Sequence, residues 1–272
     1  MDKRRGFEFG ENWLKFLAVV DDVRIDEAAN SLRALLNVSE LKGRRFLDIG
    51  CGSGLLSLAA RRLGAHVHSF DIDDRSVECT KRLRNSYCPD DTDWTIEQGS
   101  ALDEGYLRSL GVFDIVYSWG VLHHTGAMWV AIKNAQAVVA EEGLFYVAIY
   151  NKQPFLSTYW TAVKRLYNRA PGLVKAVMRG GFAVFFASAS FVADLLRVRD
   201  PSLRYRGIGR RGMSTYRDVV DWIGGWPFEV ATPEEVFRAF RDAGFTLREL
   251  KTCAGKHGCN EFVFFRSGSP TP

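Results

Sequence analysis

The chain has 272 residues, of which 47% are apolar and 25% are charged, and its formal net charge is +4. This composition is typical of a soluble globular protein with one large domain or two small ones, and the charge does not by itself indicate a nucleic-acid partner. Five cysteines are too sparse, and odd in number, for a disulfide scaffold. Residues 1–13 lack the apolar stretch of a secretory signal, so we expect reduced thiols and a cytoplasmic location.

Apolar residues recur at helical spacing over residues 7–40, with Trp13, Leu17 and Val20 on one face. This block, residues 1–43, precedes the first strand and is predicted to form a helical cap beside the site. Trp13 is a candidate substrate contact within it, although the packing of an amphipathic helix explains the same pattern.

The stretch from Phe46 to Leu58, FLDIGCGSGLLSL, contains a short strand, a glycine-rich turn and the start of a helix. These three features form the first half of a βαβ unit that holds a nucleotide-like ligand. The glycines let the backbone turn sharply and approach the ligand where a Cβ would clash. Asp71 ends the next predicted strand, 21 residues after Gly50, where an acidic residue accepts hydrogen bonds from ribose hydroxyls. Ile72 follows it and is a candidate for packing on an adenine face.

The spacing of the glycines distinguishes between ligands. A dinucleotide fingerprint, G-x-G-x-x-G, would place its third glycine at position 55, but position 55 is leucine and the third glycine is Gly54. A dehydrogenase is therefore disfavoured. For the motif taken alone, a turn that binds no nucleotide is the alternative.

Further candidate site residues follow the next two predicted strands, Trp94–Glu97 and Phe113–Tyr117. The second of these strands is apolar apart from one aspartate, as expected of a buried parallel strand. In open α/β sheets, ligands bind beyond the carboxyl ends of the strands, so these side chains should converge with the glycine turn. The candidates are Ser100, Ala101, Ser118, Trp119, His123 and His124.

Strands alternate with helices as far as Tyr150, which predicts a parallel sheet with helices on both faces. A helix is predicted over 127–140 and a fifth strand over 144–150, and a capping box at Thr232 opens a late helix that two strands follow. We therefore predict an α/β fold, a Rossmann-like, doubly wound, seven-stranded and mostly parallel sheet with an antiparallel last strand. Its predicted parts are the N-terminal cap (1–43), a core (44–150), a helical lid inserted before the last two strands (151–213) and a C-terminal part that completes the sheet (214–272).

The alternation stops at Asn151. Tyr159 and Trp160 lie in an amphipathic helical pattern and are candidate substrate contacts. Residues 180–193 carry no charge, and seven arginines follow between Arg197 and Arg217. An apolar stretch beside a basic cluster suits peripheral contact of segment 180–217 with an anionic membrane, or contact with an acidic substrate. The alternative, to which we give more weight, is that the apolar part packs on the domain and the arginines form a solvated face.

With these landmarks placed, the chain resembles the class I S-adenosylmethionine (SAM) methyltransferases that act on small molecules. FLDIGCGSG, FDID, EQGSALD and FDIVYSWGVLHH match that pattern in order and spacing over about residues 44–150. The VLHH segment makes the chain most similar to quinone-biosynthesis O-methyltransferases. The resemblance implies SAM as the cofactor and S-adenosylhomocysteine (SAH) as the product, although Ser100 stands where the family often has an aspartate. The implied cofactor contacts are Asp48, Gly50, Cys51, Gly52, Gly54, Leu55, Asp71, Ile72, Ser100, Ala101, Ser118 and Trp119.

Methyl transfer from a sulfonium is an in-line displacement, and a hydroxyl acceptor must also lose its proton. His123 and His124 are the candidate general bases because histidine titrates near neutral pH. The sequence does not choose between them, and packing or capping of the following helix explains both equally well. No metal is expected, because the segment after the fourth strand lacks the clustered oxygen ligands that hard cations need. The spacing of Cys253, His257 and Cys259 is not a usual zinc pattern.

The predicted function is therefore SAM-dependent methylation of a small-molecule acceptor, with oxygen as the preferred atom. Two alternatives stay open: a nucleic-acid or protein methyltransferase, and a non-catalytic partner protein that binds SAM. The arginine cluster favours nucleic acid, but the modest net charge and the lack of an [N/D]-P-P-[Y/F]-like motif argue against it. The intact glycine turn with Asp71 argues against a non-catalytic protein. The identity of the acceptor and the oligomeric state are not readable from the sequence.

Overall fold

The computed structural model describes Trp13, Leu17, residues 20–196 and residues 215–268. Two compact units are distinguished: a core unit formed by residues 8–154 and 227–272, and a helical unit formed by Phe155–Trp226. Of the predicted N-terminal cap (1–43), residues 1–12, 14–16, 18 and 19 lie outside the described residues, as do the arginines from 197 to 211.

The chain forms helices and strands in alternation through the core unit. The strands are β1 (Arg45–Ile49), β2 (His66–Asp71), β3 (Trp94–Gln98), β4 (Phe113–Trp119), β5 (Val139–Tyr150), β6 (Phe245–Lys251) and β7 (Cys259–Arg266). The α-helices are α1 (Asp22–Leu36), α2 (Leu55–Arg62), α3 (Asp74–Tyr87), α4 (Glu104–Ser109), α5 (Met128–Gln136), α6 (Leu156–Arg169), α7 (Gly172–Leu196), α8 (Thr215–Gly224) and α9 (Pro233–Arg241), and a 3-10 turn covers Leu122–His124.

The seven strands form one sheet in the order β3-β2-β1-β4-β5-β7-β6. β7 is antiparallel to both of its neighbours, and the other pairings are parallel. The predicted doubly wound, mostly parallel sheet is therefore confirmed. The strand order reverses between β1 and β4, and such a switch point opens a crevice at the carboxyl ends of the two strands.

Apolar side chains cover both faces of the sheet. Residues of α1, α2 and α3 pack on one face, around Phe46, Trp94 and Tyr146. Residues of α4, α5 and α9 pack on the other, around Phe145 and Phe264. Because β1, β4 and β5 are buried on both sides, they are fixed in register, and the loops that follow them have fixed starting points.

The predicted capping box is present at the start of α9. The Thr232 hydroxyl accepts a hydrogen bond from the Glu235 backbone N–H at 3.2 Å, and the Glu235 carboxylate accepts one from the Thr232 N–H at 2.8 Å. Pro233 occupies the first helical turn, where its missing N–H costs nothing. Two otherwise unsatisfied amides are thereby paired, which sets where the helix begins.

Two predicted elements have different bounds in the structure. The helix predicted to reach residue 140 ends at Gln136, because Val139 is buried and pairs with Phe113 as the first residue of β5. The uncharged stretch 180–193, the apolar part of the predicted helical lid, is not a separate element and lies within a single continuous helix, α7. Gly180 and Gly181 do not interrupt that helix.

Phe240 of α9 is fully buried, and its ring stacks on Phe264 with a centroid distance of 4.0 Å. We expect Phe240→Ala to lower the free energy of unfolding by about 3–5 kcal/mol, because it removes core contacts and leaves a cavity. Phe237→Ala, on the same helix but 37% exposed, should cost clearly less. Urea unfolding of both variants tests this, and equal losses would contradict the assignment of Phe240 to the core.

Candidate active site

The carboxyl ends of the parallel strands are tied to one another by backbone hydrogen bonds. The Gly50 amide donates to Phe70 O at 2.8 Å, and the Gly99 amide donates to Asp71 O at 3.0 Å. On the other side of the switch point, the Gly120 amide donates to Ala148 O at 3.3 Å. The segments that follow β1, β2, β3, β4 and β5 therefore meet at one edge of the sheet, as predicted.

The glycine turn between β1 and α2 has no room for a side chain at Gly50 or at Gly54, where a Cβ would lie 2.7 Å from Thr80 Cγ2, and little room at Gly52. Gly50 has φ +76°, and a Cβ there would lie 2.4 Å from Val121 Cγ1, which is a clash. Gly52 has φ +54°, and a Cβ there would lie 3.0 Å from Nε1 of Trp13. Val121 thus joins the turn to the segment after β4, and the indole of Trp13 lies against the turn.

The other turn residues are held from the α3 side. The Thr80 hydroxyl donates to Gly52 O at 3.2 Å and to the Cys51 sulfur at 3.3 Å. Burial raises the pKa of the Cys51 thiol well above its ordinary range, so this cysteine is a packing group and not a nucleophile. Gly54 caps α2 in a left-handed conformation, and Leu55 is the first residue of that helix.

Asp71 stands at the end of β2 with both carboxylate oxygens hydrogen-bonded to backbone. Oδ2 accepts from the Gly52 amide at 3.1 Å, and Oδ1 accepts from the Asp73 amide at 2.9 Å. Burial raises the pKa of Asp71 to about 6, and these two amides oppose that shift. These two bonds hold the carboxylate along the glycine turn. The apolar side chain of the neighbouring residue, Ile72, is 71% exposed.

Asp48 is a buried residue behind the turn. Its carboxylate accepts a hydrogen bond from the Ser57 hydroxyl at 2.5 Å, and Ser57 is 2.7 Å from the Ser69 hydroxyl, which accepts from Trp94 Nε1. Burial raises the pKa of Asp48 to about 7, and the nearby Asp71 charge adds to that shift. The network links β1, α2, β2 and β3, so Asp48 supports the turn from inside the protein.

The predicted contacts after β3 and β4 have different surroundings. Ser100 is half-buried in the turn after β3 and accepts from the Leu102 amide, while Ala101 is buried and its carbonyl accepts from Asn134. The hydroxyl of Ser118 is buried and donates to Ile49 O at 3.3 Å, so this hydrogen bond connects β4 to the end of β1. Trp119, the last residue of β4, is half-buried at the switch point.

The two histidines have distinct environments. His123 is fully buried, and its Nδ1 accepts a hydrogen bond from the Tyr150 amide at 3.3 Å. His124 is half-buried, and its Nδ1 is 2.6 Å from Pro227 O. A carbonyl oxygen only accepts, so Nδ1 of His124 carries the proton and Nε2 of the neutral ring carries the lone pair.

Three residues that surround this pair were not predicted as site residues. Tyr150 ends β5, with its ring centroid 3.9 Å from that of His123 and 5.5 Å from that of His124. Phe228 packs on Tyr150, and the Glu229 carboxylate accepts from the Met128 amide at the start of α5. Tyr150 was recognisable as the end of a parallel strand, but Phe228 and Glu229 arrive from a distant, irregular part of the chain.

A polar cluster at the end of β3 was also missed. The Tyr106 hydroxyl donates to Glu97 at 2.7 Å, and His68 Nε2 is 3.1 Å from the same carboxylate oxygen. A Cβ at Gly99 would lie 2.4 Å from the Tyr106 ring. Gly99 is thus the position that lets this tyrosine lie against the turn after β3.

The predicted substrate residues Tyr159 and Trp160 lie in the helical unit. Trp160 is buried there against Phe182, Phe186 and Trp222, with ring centroids 5.2–6.1 Å away. This surrounding gives Trp160 a packing role in its own unit, whereas Tyr159 is 52% exposed. Their contact with substrate stays a prediction.

Within the described part of the chain, no three His, Cys, Asp or Glu side chains converge as a metal site would require. The Cys253 thiol donates to the Lys256 carbonyl at 3.0 Å. The loop that carries Cys253 and His257 is thus closed by its own backbone.

The residues around the turn fit SAM. The glycine positions without a Cβ form a backbone cradle, the aimed Asp71 carboxylate suits a ribose diol, and the exposed Ile72 suits an adenine face. Two carboxylates close to the cradle, Asp71 and the deeper Asp48, suit a ligand that carries positive charge.

A family model described as a methyltransferase domain matches residues 24–250. The chain belongs to this family. Its fold is that of a class I SAM-dependent methyltransferase, which confirms the resemblance read from the four motifs.

Several known proteins are similar to the chain. A ubiquinone biosynthesis O-methyltransferase from Xanthomonas euvesicatoria is 27% identical over 236 residues, 87% of this chain and 74% of that protein. A ribosomal protein L11 methyltransferase from Thermotoga neapolitana is 39% identical, but over 80 residues that span only 27% of its own length. A magnesium protoporphyrin IX methyltransferase from Synechocystis, solved with bound SAH, has a TM-score of 0.52 at 16% identity and covers 89% of this chain and 82% of its own. That structural likeness concerns the fold.

We expect Asp71→Ala to weaken SAM binding by about 10- to 100-fold, because a charged hydrogen-bond acceptor is lost from the end of β2. Isothermal titration calorimetry measures this directly. Asp74→Ala is the control, since Asp74 is an exposed carboxylate three residues further along. Unchanged affinity in Asp71→Ala would contradict its place in the cofactor site.

The raised pKa of Asp48 predicts a pH-dependent stability. Asp48 titrates near its ordinary value of about 3.9 in the unfolded chain and near 7 in the folded one, so between these values only the folded protein holds the proton. Stability contributed by this group is therefore greatest at low pH and falls as the pH rises from about 4 to 7.

Asp48→Asn removes this titration and keeps an acceptor for Ser57. Between pH 4.5 and pH 8, the free energy of unfolding of the wild-type protein should fall by about 2–3 kcal/mol relative to that of the variant. Urea unfolding at both pH values checks this. A constant difference between the two proteins would show that Asp48 does not titrate in this range.

Proposed function

We propose that this protein transfers a methyl group from SAM to a hydroxyl oxygen of a small molecule, with His124 as the general base. The observation that carries the proposal is the 2.6 Å contact between His124 Nδ1 and Pro227 O. It orients the ring and leaves the lone pair on Nε2, as a base requires.

His123 is less suited to that role. It is fully buried, and its Nδ1 already accepts the Tyr150 amide. Its backbone carbonyl also accepts from the Glu229 amide at 2.9 Å, which attaches the segment Pro227–Glu229 to the 3-10 turn. We therefore assign His123 a positioning role: it holds the segment whose carbonyl orients His124.

When bound, SAM supplies an electrophilic methyl group on a sulfonium. The chain's own contribution is to bring the acceptor to this edge of the sheet and to take its proton. Val121 contacts the glycine turn and precedes His124 by three residues, so the proposed base follows closely on a side chain that packs against the cofactor cradle. The proton of the acceptor hydroxyl passes to Nε2 of His124, which makes the oxygen a better nucleophile.

A small-molecule oxygen acceptor is supported by a relative that aligns with 87% of this chain and is a ubiquinone biosynthesis O-methyltransferase by name. The rings of Tyr150 and Trp119 at the ends of β5 and β4, with Phe228 packed on Tyr150, suit an aromatic acceptor. The L11 methyltransferase similarity covers 28% of the chain and supports no choice of acceptor.

The proposal is tested with methyl-labelled SAM and a matched set of substituted phenols, anilines and thiophenols. Label should appear on the phenols. Label on the anilines, on protein or on nucleic acid would contradict oxygen transfer to a small molecule, and no label on any acceptor would favour a non-catalytic protein.

His124→Ala should lower kcat by about 10²- to 10⁴-fold while the SAM dissociation constant stays unchanged, because a proton acceptor is lost and no cofactor contact is. His123→Ala should instead lower the free energy of unfolding, since it removes a buried ring and its hydrogen bonds. Full activity in His124→Ala would refute its role as the base.

A further inference from the structure

The outward face of helix α7 is apolar over the described side chains of residues 173–192. Among the described side chains of residues 173–192, the exposed positions hold only Leu, Val, Ala, Gly, Phe and Ser, with no charged residue. Leu173, Val177, Val184 and Phe185 are each 60–79% exposed. A soluble helix normally places polar side chains on this side, and contiguous exposed apolar surface of this length marks an interaction site.

The two charges in the first half of the helix lie on its other face. Lys175 and Arg179 are half-buried, at helical spacing from Phe182 and Phe186. Those two rings pack on Trp160, and Trp160 packs on Trp222 of α8. The helical unit therefore has its own aromatic core, and the outward face of α7 is additional apolar surface that this core does not use.

Buried contacts explain why α7 keeps this orientation. Lys164 of α6 is fully buried, donates to the Trp222 carbonyl and lies 4.3 Å from the centroid of the Trp222 ring. Asn168 donates to Gly224 O at 2.9 Å. These bonds join α6 to α8, so the rings that receive α7 are fixed and the face opposite them is left outward.

The length of α7 admits more than one kind of membrane contact. Residues 172–189 form a stretch long and apolar enough, by length and composition only, to cross a bilayer, and none of it is buried. The charges on the packed face distinguish a helix that crosses the bilayer from one that lies in its surface. A helix with Lys175 and Arg179 on one side and an apolar surface on the other suits insertion parallel to the membrane plane.

The charge of the helical unit identifies the partner. Residues 155–226 contain twelve Lys and Arg against four Asp and Glu, a formal charge of +8. The rest of the chain contains twenty-four basic and twenty-eight acidic residues, a formal charge of −4. A second copy would bring two strongly basic units together, whereas an anionic lipid surface is complementary to one.

We propose that the helical unit docks on an anionic phospholipid bilayer, with α7 lying in the interface and its outward face in the acyl region. Arg165 and Arg169 of α6 are exposed beside Leu166 and supply headgroup contacts from the adjacent helix. Leu166 and Tyr159, also exposed on α6, are further apolar side chains of the helical unit. The inference does not rest on the methyl-transfer reaction.

The test is co-sedimentation of the full chain with vesicles of phosphatidylcholine alone or mixed with phosphatidylglycerol. Binding should need phosphatidylglycerol and should weaken at high salt. The double variant Val184→Glu/Phe185→Glu should lower the partition coefficient at least tenfold. Val23→Glu is the matched control, because Val23 is an equally exposed helical valine in the core unit and should bind vesicles like the wild-type protein.

SAM titration of each variant, read by calorimetry, shows separately whether the core unit is folded. Several outcomes would overturn the proposal: equal binding to both vesicle types, no effect of the double variant, or loss of binding in the control as well. A dimer in sedimentation velocity that the double variant dissociates, without vesicle binding, would identify a second copy as the partner. Resistance of the cellular protein to alkaline carbonate extraction would replace in-plane docking by a membrane span.

Discussion

The contact between Gly50 and Val121 is the constraint on which the site depends. It exists only because position 50 has no Cβ, and it joins the turn after β1 to the segment after β4 across the switch point of the sheet. From Val121 the chain enters the 3-10 turn that ends at His124, and Pro227 orients that ring. A change at one glycine would therefore move the cofactor cradle and the proposed base together.

The sheet edge also carries an electrostatic cost that a cationic ligand offsets. Asp48 and Asp71 both have raised pKa values because burial disfavours their charged forms. Backbone amides partly compensate Asp71, and a serine hydroxyl partly compensates Asp48. A ligand with a sulfonium and an ammonium group stabilises the ionised carboxylates, so cofactor binding and folding are linked through the same two residues.

Local sequence patterns predicted the parts of this structure that depend on local interactions. The glycine turn, Asp71 after β2 and the capping box at Thr232 each involve residues close together in sequence, and each was readable. The end of α5 was not, because it is decided by the pairing of Val139 with Phe113 on another strand. The choice between His123 and His124 depends on Pro227 and Tyr150, which are remote in sequence, and no local pattern contains that information. Trp160 lies in an amphipathic pattern that is the same for a ring that closes a core, so the pattern alone does not separate packing from substrate contact, which stays a prediction.

The two units have formal charges of opposite sign, and the proposed docking of the basic unit would have a consequence for catalysis. Aromatic hydroxyl acceptors of the kind that suit Tyr150 and Phe228 partition into lipid, where their concentration far exceeds that in water. Docking of the helical unit, as proposed, would hold the enzyme where such acceptors accumulate, while SAM, which is charged, would arrive from the aqueous side. Membrane docking would explain why the outward face of α7 carries apolar residues, where folding alone would favour polar ones. On this view the apolar face serves access to the acceptor and does not contribute to the stability of the helical unit.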